Sequence, residues 1–430
     1  MFLNKVRFIG LILLPTLGFA QVDKKESCLN PEPLNEVVVT ATKSERLIST
    51  LPLPTYVITA TAIERAGVTR LNEVLAQQTG LIMTTDFGGS EGIQMQGMDA
   101  AYTLILMDGV PLVGRSAGTL DLSRISVGNI ERIEIVKGAS SSLYGSEALA
   151  GVINIITKKP KKDLLSGSFS YRYASFNTMD CNTNLNWKKK RFSGTVFADY
   201  FKSNGYDLDK TTTLKTVEPY ENITFQPRFY FDFPKGFKLT FGTRFYHQEQ
   251  DYKTLIKEVN YNGIAKINEW DIQTKLEQRW NSKINSEYEF YTTNYQNYSF
   301  LNNPDNVLFE ESYYNQWLFR PEIRTTFVMN ENKLTTGIGL NFETLNRTYF
   351  AEKAMLKSQF VFFQYDYNPN YKWNILAGLR YDNTNQYQSQ FSPKLAVNFK
   401  INTRLSLKTS IGYGFKAPDF RQLYFDFLNS

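Results

Sequence analysis

At 430 residues the chain is long enough for two or three ordinary soluble domains, but 32 Phe and 26 Tyr help make 15 % of it aromatic, which suits strands with lipid-facing girdles better than a soluble enzyme. Its 48 basic and 42 acidic residues leave a net charge of only +6, which gives no footprint of a nucleic-acid binder. A single histidine, His247, all but excludes Ser-His-Asp and multi-histidine zinc chemistry, so no catalytic residue, metal ligand or cofactor is expected.

Residues 1–20 read as a secretory leader. Lys5 and Arg7 precede an apolar stretch from Phe8 to Phe19, and Gly18 and Ala20 hold the small-residue cleavage positions. A membrane anchor is the competing reading, but the stretch is too short to span and Pro15 interrupts it. No later segment approaches about 18 consecutive apolar residues. Cys28 and Cys181 are too few for a disulfide framework and read as two unrelated thiols or one incidental disulfide.

Residues 21–50 form a polar arm with one β-prone island, NEVVVTATK at 35–43. An extended, exposed, β-branched run of this kind suits pairing with another protein's sheet edge, although a plain edge strand would look the same. Residues 51–160 mix helix and strand. Val57–Thr59 reads as a strand and Thr61–Gln78 as an amphipathic helix, with Ile63, Ala66, Leu71, Val74 and Leu75 at helical spacing and Gly80 as its stop. Short strands follow at 92–97, 102–112, 130–138 and 151–159, with a small-residue loop and short helix in ASSSLYGSEALA between the last two. None of the glycine-rich turns is a dinucleotide or phosphate-loop signature.

Residues 161–430, from about Gly167, read as a series of amphipathic strands joined alternately by tight turns and long polar loops. In FYFDFPKGFKLTFGTRFY, residues Phe229, Phe231, Phe233, Phe237, Leu239, Phe241 and Phe245 share one parity, and Arg228, Asp232, Lys238, Thr240 and Arg244 take the other. Trp373, Ile375, Ala377, Leu379 and Tyr381 repeat the pattern. Tight turns are expected near Lys189, Lys235, Ser282, Glu331, Pro369 and Asn402, and a first long loop near Tyr173–Asp180. The spacing favours an outer-membrane barrel over a soluble sandwich, whose turns would come every 8 to 12 residues or so. Backbone groups at an open edge in lipid would be unsatisfied, so such strands must close.

These segments resemble the TonB-dependent receptor family across the chain after the leader. EVVVTA, comprising Glu36, Val37, Val38, Val39, Thr40 and Ala41, looks like the family's TonB box, the arm that pairs with TonB in the periplasm. YTLILMDGVPL and IERIEIVKGASSSLYGSEALAGVINIITKK match its plug motifs. The resemblance implies an α/β plug domain at 51–160 inside an antiparallel transmembrane β-barrel, located in the outer membrane of a Gram-negative cell. Where many relatives carry an Arg before a plug Gly, this chain has Gln96 before Gly97. The usual plug-to-wall contact is therefore expected to be neutral or to pass to another residue such as Arg115 or Arg132. GYGFKAPDFRQLYFDFLN at 412–429 looks like a loop motif of haem, siderophore and cobalamin receptors, with Lys416 in place of the usual Arg. The absence of His there and in the plug counts against haem.

The implied function is active import, without chemistry on the cargo, of a metal chelate held between outer loops and the plug loops at 84–91 and 112–119. Asp86, Tyr102 and Arg115 are the candidate contacts, though each could be an ordinary fold residue. A ferric siderophore is the first expectation, cobalamin or haem the second. A passive porin or an adhesin or phage receptor represents a different class. Counting gives about 13 strands, the last over Arg404–Lys416, against about 22 in barrels of this transporter class. A fragment or truncated reading frame is therefore expected.

Overall fold

The computed structural model describes residues 37–86, 89–116, 118–161, 164–211, 214–348, 350–402 and 405–424. The leader predicted at 1–20, Cys28 and Glu36 lie outside the described residues.

The chain opens with two short strands, β1 (Val37–Val38) and β2 (Arg46–Leu47), paired with each other. An α/β unit follows: β3 (Thr55–Thr59), α1 (Ala60–Ala66), α2 (Leu71–Ala76), β4 (Leu81–Thr85), β5 (Glu91–Met95), β6 (Thr103–Met107), β7 (Val110–Pro111), β8 (Ile130–Lys137), α3 (Ser141–Tyr144) and β9 (Gly151–Thr157). Five of its strands form a sheet in the order β3-β8-β9-β6-β7, with β6 and β9 parallel. Strands β6 and β9 are covered on both faces, which explains why LILM and GVINII do not alternate and are apolar apart from Asn154. Ile63, Leu71 and Leu75 from the helices pack with Ile105, Ile133, Ile135, Ile153 and Ile155 from the sheet as one core.

One long helix at 61–78 does not form. Gly67 takes φ +67, a left-handed conformation that ends α1. The backbone N–H groups of Thr69 and Arg70 then donate to the Glu73 carboxylate at 2.9 and 3.1 Å, which starts α2 as a separate helix. Apolar spacing continues across the break because both helices bury the same face. Only the glycine and the capping carboxylate mark it.

The remainder builds one antiparallel sheet. Its strands are β10 (Leu165–Ala174), β11 (Thr178–Lys189), β12 (Phe192–Ser203), β13 (Tyr220–Asp232), β14 (Phe237–Ile256), β15 (Val259–Arg279) and β16 (Ile284–Asn302). Then come β17 (Leu308–Met329), β18 (Asn332–Arg347), β19 (Ala354–Asn370), β20 (Trp373–Thr384), β21 (Gln390–Lys400) and β22 (Ser406–Gly412). Among the described residues all 13 lie in chain order, so β10 and β22 are its edges. A short helix, α4 (Phe420–Tyr424), follows. Strand β22 ends earlier than the 416 expected, because after Tyr413, whose N–H still donates to the Pro393 carbonyl, the chain turns to lie against the α/β unit.

Parity behaves as the sequence predicts. Phe241, Phe245, Trp373, Leu379 and Tyr381 face outward and are exposed, whereas Arg228, Arg244, Arg380 and Asp382 face inward and are buried. All six expected tight turns lie at one end of the sheet. Near that end Trp187, Phe192, Phe229 and Phe231 pack together, as do Trp373 and Phe399 with ring centroids 4.4 Å apart, in the manner of an interfacial girdle.

The long loops expected at the other end are mostly absent. Residues 175–177 make a tight turn rather than a first long loop, and β14 and β15, of 20 and 21 residues, are joined through Lys257 and Glu258 alone. Crossing a membrane takes only about 9–11 residues of strand, so these hairpins project well past it as paired ribbons. Polar segments read as loops keep their cross-strand partners, such as Tyr252 with Gly263 and Lys253 with Asn262. Among the described connections at this end, only the one at 204–219 is long.

Candidate functional site

The concave face of the sheet wraps the α/β unit, and buried ion pairs join them. Arg70 reaches Asp199 on β12 at 2.9 Å, and Arg124 shares Glu269 on β15 with Arg244, at 3.3 and 3.0 Å. Asp108 meets Arg228 on β13 at 2.6 Å, and Lys43 meets Glu322 on β17 at 2.6 Å. Arg46 pairs with Asp366 on β19. The two residues expected to take over this contact do not reach the wall by ion pairs. Arg132 pairs with Glu134 within the unit at 2.7 Å, and Arg115 with Glu147 at 3.5 Å. Gln96 is exposed in a turn with φ +54. Sequence reasoning missed Arg70 and Arg124 because their partners lie 129 and 145 positions away, counted from 70 to 199 and from 124 to 269.

Two cavities lie on opposite sides of the unit. The inner one, about 760 Å³, opens at the tight-turn end. Arm residues Val39 and Lys43 line it, as do Asp108, Lys159, Arg228 and Lys275. The outer one, about 180 Å³, lies toward the projecting hairpins, between the 111–115 loop, Glu147, the wall residues Tyr314, Arg320, Glu343, Arg347 and Arg380, and Lys416. Tyr144 lines both.

In the outer cavity Glu147 lies between two cations, Arg115 at 3.5 Å and Lys416 at 3.3 Å. Burial pushes its carboxyl up, but Lys416 and Arg115 outweigh that and hold it below the usual carboxylate range. Its backbone is left-handed, φ +73, a conformation that costs a non-glycine residue about 1–3 kcal/mol and persists where the surroundings fix it. Arg115 also donates to the carbonyls of Ala100 and Thr103 at 3.4 and 3.1 Å. The other two candidate contacts lie elsewhere. Both carboxylate oxygens of Asp86 are turned to the backbone N–H groups of Ser90 and Thr119, at 3.0 and 3.2 Å. Tyr102 packs against the core of the unit. Of the loops at 84–91 and 112–119, the second lines the outer cavity.

Within 37–41, the described part of the predicted box, the chain is mostly buried and mostly not strand. Val37 is 40 % exposed, but Val38, Thr40 and Ala41 are buried, and only Val37–Val38 is strand. The buried carboxylate of Glu134, in the middle of β8, accepts the N–H groups of Val39 and Thr40 at 2.9 Å each and the Thr40 hydroxyl at 2.6 Å. Asn154 donates to the same hydroxyl at 2.9 Å, and the Tyr144 hydroxyl donates to the Thr40 carbonyl at 2.9 Å. Burial pushes the Tyr144 hydroxyl pKa well up, so it stays protonated and able to donate. Burial, reinforced by Arg324 and Arg320, brings Lys43 down to about 8 although Glu322 opposes the shift. A β-branched run selects strand in isolation. Here a buried carboxylate offers the same backbone groups stronger, charge-assisted partners.

Comparisons with known proteins agree with this architecture. The family model described as TonB-dependent Receptor Plug Domain matches residues 48–152, and TonB dependent receptor-like, beta-barrel matches 159–430. The chain is similar to the vitamin B12 transporter BtuB of Vibrio cholerae, 26 % identical over 431 aligned residues that cover 91 % of this chain and 64 % of that protein. Among solved structures it is similar to the siderophore receptor PirA from Acinetobacter baumannii, with TM-score 0.74 and 19 % identity over 85 % of this chain and 61 % of that one. It also resembles a Q482A mutant of the ferric enterobactin receptor PfeA from Pseudomonas aeruginosa, in complex with enterobactin, with TM-score 0.69 and 18 % identity over 86 % and 63 %. The chain thus spans a little under two thirds of the length of these relatives. On its plug and its wall alike, this chain belongs to the TonB-dependent receptor family.

Proposed function

We propose that the protein containing this chain is an outer-membrane transporter that imports a ferric siderophore without chemical change, with 51–160 as its plug and 161–430 as wall. The supporting observation is the state of the arm. Residues 37–41, the proposed TonB box, are fastened to the inner side of the plug by Glu134, Asn154 and Tyr144. An arm held this way is withheld from a partner until something frees it, which is what ligand-gated capture by TonB requires. Strand addition to the freed arm would then transmit work from the inner membrane to a plug that otherwise stops the lumen.

For the cargo, the outer cavity presents Arg115, Lys416, Tyr314 and Tyr387, which suit a chelate with anionic oxygens. Cobalamin is the second reading, favoured by the similarity to BtuB. Deleting residues 37–41 from the complete protein tests the mechanism: uptake should be lost while surface binding of the chelate is kept. Unchanged uptake would point to a passive pore. Expression that rises under iron limitation supports the siderophore, and repression by cobalamin instead would replace it.

A further inference from the structure

The outer cavity and the arm share one element. Helix α3 ends at Tyr144, whose hydroxyl holds the Thr40 carbonyl, and three residues later Glu147 sits between Arg115 and Lys416. The intervening Gly145 takes φ +80, and Ser146 accepts the N–H of Ala417 at 2.9 Å. Arg380, which also lines the outer cavity, donates to the Leu143 carbonyl at 3.1 Å. At its start the segment is held by Lys394, which donates to the Ala139 carbonyl at 2.6 Å, and by the Ser140 N–H, which donates to the Ala148 carbonyl at 2.8 Å. The buried hydroxyls of Ser141 and Ser142 have no hydrogen-bond partner among the described residues.

We propose that α3 is the coupling element between cargo and arm: an anionic group of the cargo takes the place of Glu147 between Arg115 and Lys416, and the resulting shift of 144–147 breaks the bond from Tyr144 to Thr40. Glu147 is then an internal stand-in for the ligand. Its two ion pairs, at 3.3 and 3.5 Å, are long for charge-assisted bonds, and its left-handed backbone stores strain that displacement relieves. Tyr144 is a positioning residue, acting through the arm rather than on the cargo. The significance of freeing Thr40 rests on the reading of 37–41 as a TonB box, but the coupling itself is measured without cargo or TonB.

Ala41 is buried and small, so an Ala41→Cys substitution, made in the complete protein with Cys28 and Cys181 changed to Ser, reports arm release in outer-membrane vesicles through its rate of reaction with a bulky maleimide. Tyr144→Phe keeps the ring and removes only the donor. It should raise that rate about fivefold, the factor set by one buried hydrogen bond of ordinary strength. Glu147→Gln should raise it by a similar factor from the far side of the plug. The double variant should exceed either single by less than the product of the two, because both act through one bond. The proposal is overturned if Tyr144→Phe leaves the rate unchanged while Thr40→Ala, which removes the hydroxyl bond to Glu134, raises it. It is equally overturned if Glu147→Gln has no effect or if the two effects multiply in full. Uptake that survives deletion of 37–41 would instead refute the functional reading and leave the coupling standing.

Discussion

The Glu134 carboxylate lies 2.6 Å from the Thr40 hydroxyl and carries the arm on a single oxygen, Oε2, while its other oxygen accepts from Arg132 at 2.8 Å. Replacing Glu134 with Ala strands the Arg132 guanidinium and the N–H groups of Val39 and Thr40, a loss of about 3 kcal/mol or more for a broken buried network. Limited proteolysis of the ligand-free protein should then cleave between residues 37 and 50 at least tenfold faster than in wild type. Equal cleavage rates would show that other contacts hold the arm.

Arg70 and Asp199 join plug to wall with almost no solvent, and Ser126 adds a 2.8 Å bond to the same carboxylate. Arg70→Met leaves Asp199 buried beside an apolar chain and should cost about 3–5 kcal/mol in plug stability. The double variant Arg70→Met/Asp199→Leu should recover most of that loss, since an apolar pair carries no desolvation cost. Urea midpoints for plug unfolding decide the matter. A double variant no better than the single would mean that the pair contributes specific attraction beyond its own desolvation.

Two glycines of the plug separate backbone strain from crowding. Gly109 has φ +92 with open space around an added Cβ, whereas Gly114 has φ +95 and an added Cβ would lie 2.5 Å from the Tyr295 ring. Gly109→Ala should cost only the left-handed penalty, about 1–2 kcal/mol. Gly114→Ala should in addition push the 112–116 loop off the wall, breaking the 3.0 Å bond from its N–H to Gln316. If the proposed cargo is a chelate, its binding should fall at least tenfold in Gly114→Ala and less than threefold in Gly109→Ala. Titrations on whole cells provide the comparison.

Docking of the arm should strengthen as pH rises above 8. The docked Lys43 holds its proton less tightly than a free lysine, with its pKa down to about 8 from 10.5, because of burial and then Arg324 and Arg320, against the pull of Glu322. Between those values the free arm binds more protons than the docked one, so raising the pH shifts the balance toward docking. The maleimide rate at Ala41→Cys, corrected with a free-peptide thiol, should therefore fall between pH 8 and 10. Lys43→Met should flatten the profile, and a rise with pH would reverse the assigned sign.

The outward face of the wall predicts a depth-dependent penalty. Ile338 is 57 % exposed and pairs across the sheet with Ile323 and Val361. Ile338→Arg places a charge in the apolar band and should cost about 2–4 kcal/mol in folding into lipid vesicles. Thr335, on the opposite parity, facing inward and buried, should accept Ser at a cost of only about 1 kcal/mol, that of one buried methyl group.

Much of the wall was legible because strand alternation is local. Arg228 beside Phe229 and Phe241 beside Gly242 declare their faces within a few residues, and a one-residue slip would reverse every side chain. Turns at Lys189, Lys235, Ser282 and Glu331 were likewise marked by local breaks in alternation. The projecting hairpins were not, since residues such as Tyr252 and Asn262 carry polar side chains on both faces once outside the membrane. The break at Gly67 was visible as a glycine, but its consequence depended on Glu73 turning back to cap a second helix.

By itself the sequence determined a mixed helix-and-strand segment followed by a wall whose two faces follow from period-two chemistry. Tertiary structure alone decided that Thr40 would be buried against Glu134, 94 positions away. It also decided that Arg70, not Arg115, would reach the wall, and that Glu147 and Lys416 would meet across 269 positions. Strand faces are set by neighbours along the chain. Partners for buried charges are set by which surfaces the folded sheet brings around the plug, and no local pattern encodes that pairing.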